Sequence, residues 1–210
     1  MVICISRESG SGGRDIGVRL AELLGIPYYD SVLINEIDNA GLDQEILAEA
    51  DERKGRRFIS LPKSGVKDPK LKGLTANDIV FEKQSEWICN VAEKGNCVII
   101  GRCADYVLRQ NSLPYISIFV CSPMADRVER IAGIEGMDPK EAYVFLNKKD
   151  KERRTYYNFY TDGEWGKADN YDLCINSCLL GTEQTALMLA NTLRELIDAP
   201  DSVFVKRAEE

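Results

Sequence analysis

The feature that most constrains this chain is a cluster of glycines close to its first residue, lying between an apolar run and an amphipathic segment. Residues 2–6 form a short β-rich apolar run that stops at the cluster, where residues 10–13 read Gly-Ser-Gly-Gly. Apolar side chains then recur on one face of a helix, at Ile16, Leu20, Leu23 and Leu24. Gly25 and Pro27 are typical of a helix end. The sequence therefore predicts a strand, a glycine loop and a helix in that order.

Strands and helices continue to alternate along the rest of the chain. Apolar runs predict further strands at residues 26–29, 97–101, 115–121 and 171–176, with helical patterns between them. Runs that are apolar without alternation suit a parallel sheet that is covered on both faces. We therefore expect an α/β fold, with a mostly parallel central sheet and helices on both faces, in a single domain spanning residues 1–210.

The amino-acid composition excludes several kinds of chemistry. The 210 residues include no histidine, which removes His-based zinc sites, Ser-His and Cys-His nucleophiles and imidazole general bases. Seven cysteines are present without a CxxC pair, which agrees with a reducing compartment. Phosphoryl transfer stays well suited to this composition, because it depends on positioning, metal ions and cationic side chains.

Hydropathy and charge limit the location and the partners. No apolar run approaches the roughly 20 residues that span a bilayer, and the first residues lack the basic flank of a signal peptide. We therefore expect a cytoplasmic protein with no membrane partner. The net charge of -7 argues against a nucleic-acid partner. A small-molecule partner is therefore expected, and the sequence predicts no oligomeric state.

The glycine loop is the strongest candidate for binding phosphate. Backbone N–H groups in such a loop point at an anion, and the dipole of the following helix adds to the attraction. The usual pattern of Gly, four residues and Gly-Lys-Ser/Thr is not met, because Arg7 replaces the first Gly and Gly13 stands where Lys is expected. The alternative is a glycine turn that binds nothing. The expected phosphate-binding residues are Ser9, Gly10, Ser11, Gly12, Gly13, Arg14 and Asp15.

Two residues after the glycines are expected to supply what the pattern lacks. Arg14 is a candidate for the missing cation, because a guanidinium is a good phosphate ligand. Asp15 is a candidate Mg²⁺ ligand in place of the usual hydroxyl group. With both residues the loop would hold the phosphates of ATP together with Mg²⁺.

A second candidate site residue follows the buried apolar run at residues 97–101. Ligands of open parallel sheets bind beyond the carboxyl ends of the strands, and Arg102 comes directly after this one. A guanidinium at that point could grip a phosphate with two hydrogen bonds. The alternative is a surface arginine on a loop.

The third signal is a set of basic residues on two predicted helices. Arg127 and Arg130 share a helix face, and five of the seven residues at 148–154 are basic. This run precedes a Tyr- and Gly-rich stretch at residues 156–166, which favours a flexible cover over phosphates. The alternative is a solvated helix face in which Asp150 and Glu152 are the ion-pair partners. The aromatic side chains would either stack on a base or only pack the cover down.

A fourth signal is the segment at residues 53–72, which carries eight basic residues and one acid in an otherwise acidic chain. Its prolines and glycine disfavour a continuous helix. We expect a mobile cover that closes over an anionic acceptor. The alternative is a solvated loop without a ligand.

Together, these pieces resemble the cytidylate kinase-like family, a divergent branch of the nucleoside monophosphate kinases. The resemblance covers residues 3–197 and rests on ISRESGSGGRDIG, YYD, VIIGRCADYVL, DKERRTYYNFYT and YDLCINS. It implies a P-loop kinase fold with a helical lid at about residues 148–168 and an acceptor-binding insertion at about residues 31–94. It also implies ATP and Mg²⁺ as cofactors.

The resemblance assigns roles residue by residue. The phosphate loop of cytidylate kinases corresponds to residues 9–15, without the lysine. Their Asp-Thr-Gly near the acceptor resembles Asp30-Ser31, and their Gly-Arg-Asp resembles Gly101-Arg102-Cys103, with Asp105 as a substitute for the lost aspartate. The substrate-binding residues would be Asp30, Arg102 and Asp105, and the catalytic cations Arg14, Arg130, Arg153 and Arg154.

The leading hypothesis is ATP-dependent phosphoryl transfer to a nucleoside monophosphate, with CMP or dCMP favoured. One alternative is a nucleotide-binding regulatory protein that has lost turnover with the lysine. Another is a kinase of a different small metabolite. Turnover and a substrate panel separate the three.

Overall fold

The computed structural model describes residues 1–30 and 76–197, which form a parallel sheet between two layers of helices. The strands of this part are β1 (Val2–Arg7), β2 (Tyr28–Tyr29), β3 (Cys97–Ile100), β4 (Tyr115–Cys121) and β5 (Leu173–Asn176). The helices are α1 (Gly13–Leu24), α2 (Ala76–Lys94), α3 (Ala104–Gln110), α4 (Met124–Glu135), α5 (Pro139–Thr161) and α6 (Gly181–Ile197), with a 3₁₀ turn at Ala168–Asn170.

The sheet has the strand order β2-β3-β1-β4-β5, and every pairing is parallel. β1 lies in the centre, where its residues pair with β3 on one side and with β4 on the other. The central strands are almost wholly buried, as the runs without alternation predicted. The predicted α/β class with a mostly parallel sheet is confirmed.

Two hydrophobic clusters cover the two faces of the sheet. On one face α1 and α6 pack against alternate residues of β1, β3 and β4, including Ile3, Ile100 and Ile118. On the other face α2 and α3 pack against the intervening residues, including Cys4 and Ile99. The helix after β1 therefore lies on the opposite face from the helix after β3. A crevice opens between neighbouring strands where the chain departs in opposite directions, and ligands of such sheets bind there.

Helix α5 carries the predicted lid. It begins at an N-cap, Asp138, whose carboxylate accepts the N–H of Lys140 at 2.8 Å, and Pro139 fits the first helical position because it has no N–H to satisfy. The helix runs without a break to Thr161. Residues 148–161 of the predicted lid are therefore the second half of a longer helix.

Some predictions fall outside the described residues. The basic segment at residues 53–72 and most of the predicted insertion lie there, whereas residues 76–94 form α2. Among the described residues, no helix is both long and apolar enough to cross a membrane. All seven cysteines are free thiols. Cys4 and Cys97 lie in central strands and are buried, whereas Cys174 is exposed because it lies on the edge strand β5.

The close packing of α1 on the buried isoleucines of the sheet depends on Gly17, and it gives a first prediction. A Cβ at Gly17 would lie 2.8 Å from Ile100 Cδ1 and 3.0 Å from Ile5 Cδ1, and both isoleucines are fully buried. We expect Gly17→Val to lower the free energy of unfolding by roughly 2–3 kcal/mol through overpacking, measured by denaturant titration. Gly133→Val is the matched control, because that helical glycine has open space around it and should stay within about 0.5 kcal/mol. Equal effects of both would contradict the packing.

Candidate functional site

The candidate site is the crevice where β1 and β3 end side by side. The glycine loop leaves β1 here and enters α1, and Gly101 continues the β1–β3 pairing by donating its N–H to the carbonyl of Ile5 at 2.9 Å. Residues that are far apart in the sequence therefore meet at one edge of the sheet.

The glycine loop has the backbone of an anion-binding loop. Gly10 and Gly12 have positive φ angles of 77° and 76°, which glycine adopts without a steric cost. The Ser11 hydroxyl donates to the carbonyl of Glu8 at 2.9 Å and accepts the N–H of Gly13 at 3.3 Å. Among the described residues, the N–H groups of Gly10 and Gly12 have no acceptor. With the first N–H groups of α1, which have no partner within the helix, they are available to an anion.

Arg130 and Arg153 bring positive charge to this loop. A Cβ at Gly12 would lie 3.0 Å from Nη1 of Arg130, so the guanidinium rests on the glycine. Nη1 of Arg153 donates to the Ser9 hydroxyl at 2.8 Å and to the carbonyl of Arg7 at 3.3 Å. Two of the four predicted catalytic cations therefore lie beside the predicted phosphate loop.

Arg154 and Arg14 lie apart from these two. Arg154 is exposed, and its guanidinium stacks over the ring of Trp165 with 5.5 Å between Cζ and the ring centroid. Nε of Arg14 pairs with the buried Asp30 carboxylate at 2.7 Å, although its own side chain is 56% exposed. The Arg14 charge is therefore directed at the end of β2. The structure brings Arg14 and Asp30 together, and it does not bring Arg14 over the glycine loop.

Asp15 lies exposed in the first turn of α1. In the part of the chain that the structure describes, no three acidic, Cys or His side chains form a metal cage. Mg²⁺ usually keeps several waters and binds one or two carboxylates together with substrate phosphates, so a single carboxylate beside a phosphate loop suits this ion. The assignment of Asp15 to Mg²⁺ stays a prediction.

Arg102 lies in a strained turn at the end of β3. Gly101, Arg102 and Cys103 have φ angles of 84°, 62° and 53°, and left-handed backbone costs a non-glycine residue about 1–3 kcal/mol. The Arg102 side chain is 3% exposed. Burial excludes the surface-arginine alternative, and the assignment of Arg102 to the acceptor phosphate stays a prediction.

Asp105 is buried on α3 and contacts the lid helix. Its carboxylate accepts the hydroxyl of Tyr157 at 2.9 Å. Burial raises the pKa of Asp105 above its usual value, although the Tyr157 hydrogen bond opposes the shift. Burial, with the nearby Asp105 charge, also raises the pKa of Tyr157. These contacts make Asp105 an anchor for α5, and its assignment to the nucleoside stays a prediction.

The aromatic residues of the lid pack against α2. The ring of Tyr160 stacks on Phe81 with centroids 4.1 Å apart and planes at 7°, and its hydroxyl donates to Asp78 at 3.2 Å. Tyr156 donates to the buried Gln84 at 3.4 Å. Among the alternatives for these aromatics, the contacts correspond to packing the cover down.

Sequence reasoning missed a buried ion pair that holds the loop. Nη1 of Arg127 donates to Asp150 at 2.5 Å and to the carbonyl of Ser9 at 3.2 Å, and the other carboxylate oxygen of Asp150 accepts the N–H of Ser9 at 2.7 Å. Both charged side chains are buried. Arg127 is therefore structural, although it shares a helix face with Arg130, and Asp150 is not on a solvated face. The sequence signal for this pair was Asp150, an acidic residue within the basic run at residues 148–154.

A second missed residue is Arg7. Its side chain passes over Gly13, where a Cβ would lie 2.6 Å from Arg7 Cβ, and its guanidinium reaches Gly101. The sequence signal was an arginine where the loop pattern has glycine, together with a glycine where the pattern has lysine.

The comparisons with known proteins agree with this geometry. The model of the Cytidylate kinase-like family matches residues 2–178. The chain belongs to this family. The match confirms the predicted resemblance and the predicted class of enzyme, a nucleotide kinase.

Among curated relatives, a cytidylate kinase of Pyrococcus horikoshii is 27% identical over 210 residues, covering 100% of this chain and 96% of the relative. A solved structure of an uncharacterized protein from Eubacterium ventriosum is 29% identical, with a TM-score of 0.70 and coverage of 93% and 98%. A shikimate kinase from Bacteroides thetaiotaomicron has a TM-score of 0.53 at 17% identity, with coverage of 95% and 99%. These likenesses confirm the predicted P-loop kinase fold.

The buried ion pair gives the second prediction. Asp150→Asn keeps an oxygen for the N–H of Ser9 but leaves the buried charge of Arg127 with the more distant Glu8 carboxylate, 3.6 Å from its Nε. We therefore expect a loss of about 3 kcal/mol in the free energy of unfolding. Asp169→Asn is the matched control, because Asp169 is 80% exposed and only 3.7 Å from Lys167; it should change stability by less than about 0.5 kcal/mol. Denaturant melts of both variants measure the difference. A neutral Asp150→Asn would contradict the buried pair.

The third prediction concerns pH. Because the folded state raises the pKa of Asp105, the folded protein holds this proton more tightly than the unfolded chain, whose carboxyl titrates near about 3.9. Stability from this group is therefore complete at low pH and is lost as the pH rises through the folded pKa. Asp105→Asn should have the higher melting temperature at pH 7, and the difference should shrink toward pH 4. Asp169→Asn is the control for removing an exposed carboxylate. If the melting-temperature difference between Asp105→Asn and the unaltered protein did not depend on pH, it would contradict the raised pKa of Asp105.

Proposed function

We propose that this protein transfers the γ-phosphoryl group of ATP to a nucleoside monophosphate, with CMP or dCMP as the first candidates. The observation that carries the proposal is the convergence of Arg130 and Arg153 on the glycine loop, whose N–H groups are available to an anion. Membership of the cytidylate kinase-like family and the cytidylate kinase relatives support the nucleotide as the acceptor.

The residues of the crevice divide into donor and acceptor groups. The loop from Ser9 to Asp15 would hold the donor phosphates, with Arg130 and Arg153 neutralising the charge that develops on the transferred group. Arg102, at the end of β3, would hold the acceptor phosphate. Mg²⁺, when bound, would neutralise charge on the donor phosphates, and Asp15 would be the protein carboxylate that holds it.

The chemistry needs little from the protein beyond placement. An oxygen of the acceptor phosphate attacks the γ-phosphorus, the bond to the bridging oxygen of ADP breaks, and a diphosphate forms. A phosphate oxygen is already ionised at neutral pH, so no general base is required. Positioning and electrostatic stabilisation therefore account for catalysis, which agrees with a chain that has no histidine.

One observation favours a second candidate function. Gly13 stands where the loop pattern has lysine, and Arg14 is directed at Asp30. A protein that binds nucleotide without turning it over would tolerate such a loop. A third candidate, a kinase of another small metabolite, has the same donor site and differs only in its acceptor.

An ADP-release assay with ATP and Mg²⁺ tests these candidates against one another. We expect turnover with CMP or dCMP above the rates with AMP, GMP and UMP. Turnover with only a non-nucleotide acceptor would support the third candidate. ATP binding without turnover on any acceptor would support the regulatory one.

The fourth prediction tests the acceptor site. Arg102→Ala removes a charged phosphate contact, so we expect the KM for the nucleoside monophosphate to rise on the order of a hundredfold while the KM for ATP changes little. Arg109→Ala is the control, since Arg109 lies near the end of α3 against the ring of Tyr106. Equal losses for ATP and acceptor would contradict the assignment.

A further inference from the structure

The side chain of Arg7 occupies a channel between two glycines. A Cβ at Gly13 would lie 2.6 Å from Cβ and 3.1 Å from Cγ of Arg7. A Cβ at Gly101 would overlap Nη1 of the same guanidinium and lie 3.3 Å from its Cζ. The arginine thus runs from the end of β1, across the first residue of α1, to the end of β3. Side chains at positions 13 and 101 would displace it.

The backbone of Arg7 is fixed on both sides. Arg7 pairs with Val120 as the last residue of β1, and its carbonyl accepts Nη1 of Arg153 at 3.3 Å. The side chain therefore leaves a rigid strand end and enters the crevice between β1 and β3. The fixed strand end therefore keeps the stem of Arg7 against the first residue of the loop helix.

Compared with the phosphate-loop pattern, the basic residue and the glycine have changed places at positions 7 and 13. The pattern has glycine first and lysine at the position of Gly13, whereas this chain has arginine first and glycine at position 13. A lysine at position 13 needs a Cβ where the Arg7 stem lies, and an arginine at position 7 needs position 13 to lack one. The two arrangements exclude each other, so the exchange is one coupled change.

We infer that Arg7 replaces the missing lysine as the cation for the polyphosphate of the nucleoside triphosphate donor. The inference rests on the proposed function and changes its site, since Arg14 was the sequence candidate for this role. Arg14 is half-exposed and directed at Asp30, 2.7 Å away, whereas the stem of Arg7 lies directly against Gly13, the position of the missing lysine. A guanidinium stays charged and binds phosphate through two parallel hydrogen bonds, which a lysine cannot do.

Reciprocal exchange of the two residues tests the inference. The set is Arg7→Gly, Gly13→Lys and the double variant, with ATP affinity measured by calorimetry and the melting temperature measured without ligand. We expect Arg7→Gly to weaken ATP binding by roughly tenfold to a hundredfold. Gly13→Lys alone should also bind worse, because its side chain collides with Arg7. The double variant restores the usual pattern and should recover most of the affinity.

A second variant separates charge from packing. Arg7→Gln keeps the stem over Gly13 and removes the charge, so it should lose ATP affinity without losing melting temperature. Arg19→Gln is the matched control on α1, where Arg19 pairs with Glu22 and Glu183, and it should bind ATP like the unaltered protein.

The outcomes separate the inference from the function on which it rests. Failure of the unaltered protein to bind ATP would overturn the proposed function and the inference together. Normal ATP affinity in Arg7→Gln, or a double variant no better than the product of the single changes, would overturn the role of Arg7 alone.

Discussion

The buried ion pair between Arg127 and Asp150 sets the position of the glycine loop. The two charges are taken out of water, which costs several kcal/mol for each ion unless hydrogen bonds satisfy the remaining atoms. Here those bonds go to the loop itself, because Asp150 accepts the N–H of Ser9 and Arg127 donates to the carbonyl of Ser9. The ion pair therefore ties α4 and α5 to the loop at a single residue. Removing either partner would release all three.

The positions of Arg130 and Arg153 follow from the Arg127–Asp150 ion pair. Arg153 lies one turn after Asp150 on α5, so fixing Asp150 beside Ser9 also brings Arg153 to the Ser9 hydroxyl. Arg130 lies three residues after Arg127 on α4 and rests on Gly12 by the same geometry. Each helix thus contributes one member of the buried ion pair and one arginine beside the loop. Positive charge is concentrated at the one edge of the sheet where β1 and β3 end.

The second half of α5 also makes tertiary contacts, with α2 and α3. Tyr157 donates to the buried Asp105 on α3, and Tyr160 stacks on Phe81 of α2. The predicted lid is thus packed along its helical part against both flanking helices. These contacts hold Arg153 beside the glycine loop, and the closing of the lid over phosphates stays a prediction.

The fold could be predicted from the sequence because its signals are local. Apolar runs, the glycine cluster and the cap at Asp138 each act within a few residues, and the strands and α5 lie close to where these patterns put them. The site was only partly predictable. The pairing of Arg127 with Asp150, the path of Arg7 across Gly13 and Gly101, and the hydrogen bond from Tyr157 to Asp105 all join distant parts of the chain.

The arginines show most clearly why the site was harder to predict than the fold. A guanidinium in a sequence pattern can bind phosphate, pair with a carboxylate or stack on a ring, and local spacing does not distinguish these outcomes. Arg153 and Arg130 lie beside the loop, Arg127 is buried in an ion pair, and Arg154 stacks on Trp165. Only the tertiary contacts assign each one.

We expect the crevice at the ends of β1 and β3 to bind both the donor and the acceptor phosphates. A crystal structure with a bisubstrate analogue, in which adenosine and cytidine are joined through a polyphosphate, tests it most directly. We expect phosphates within hydrogen-bonding distance of the N–H groups of Gly10 and Gly12 at one end and of the Arg102 guanidinium at the other. An analogue bound away from the ends of β1 and β3, or with its phosphates turned from the glycine loop, would contradict it.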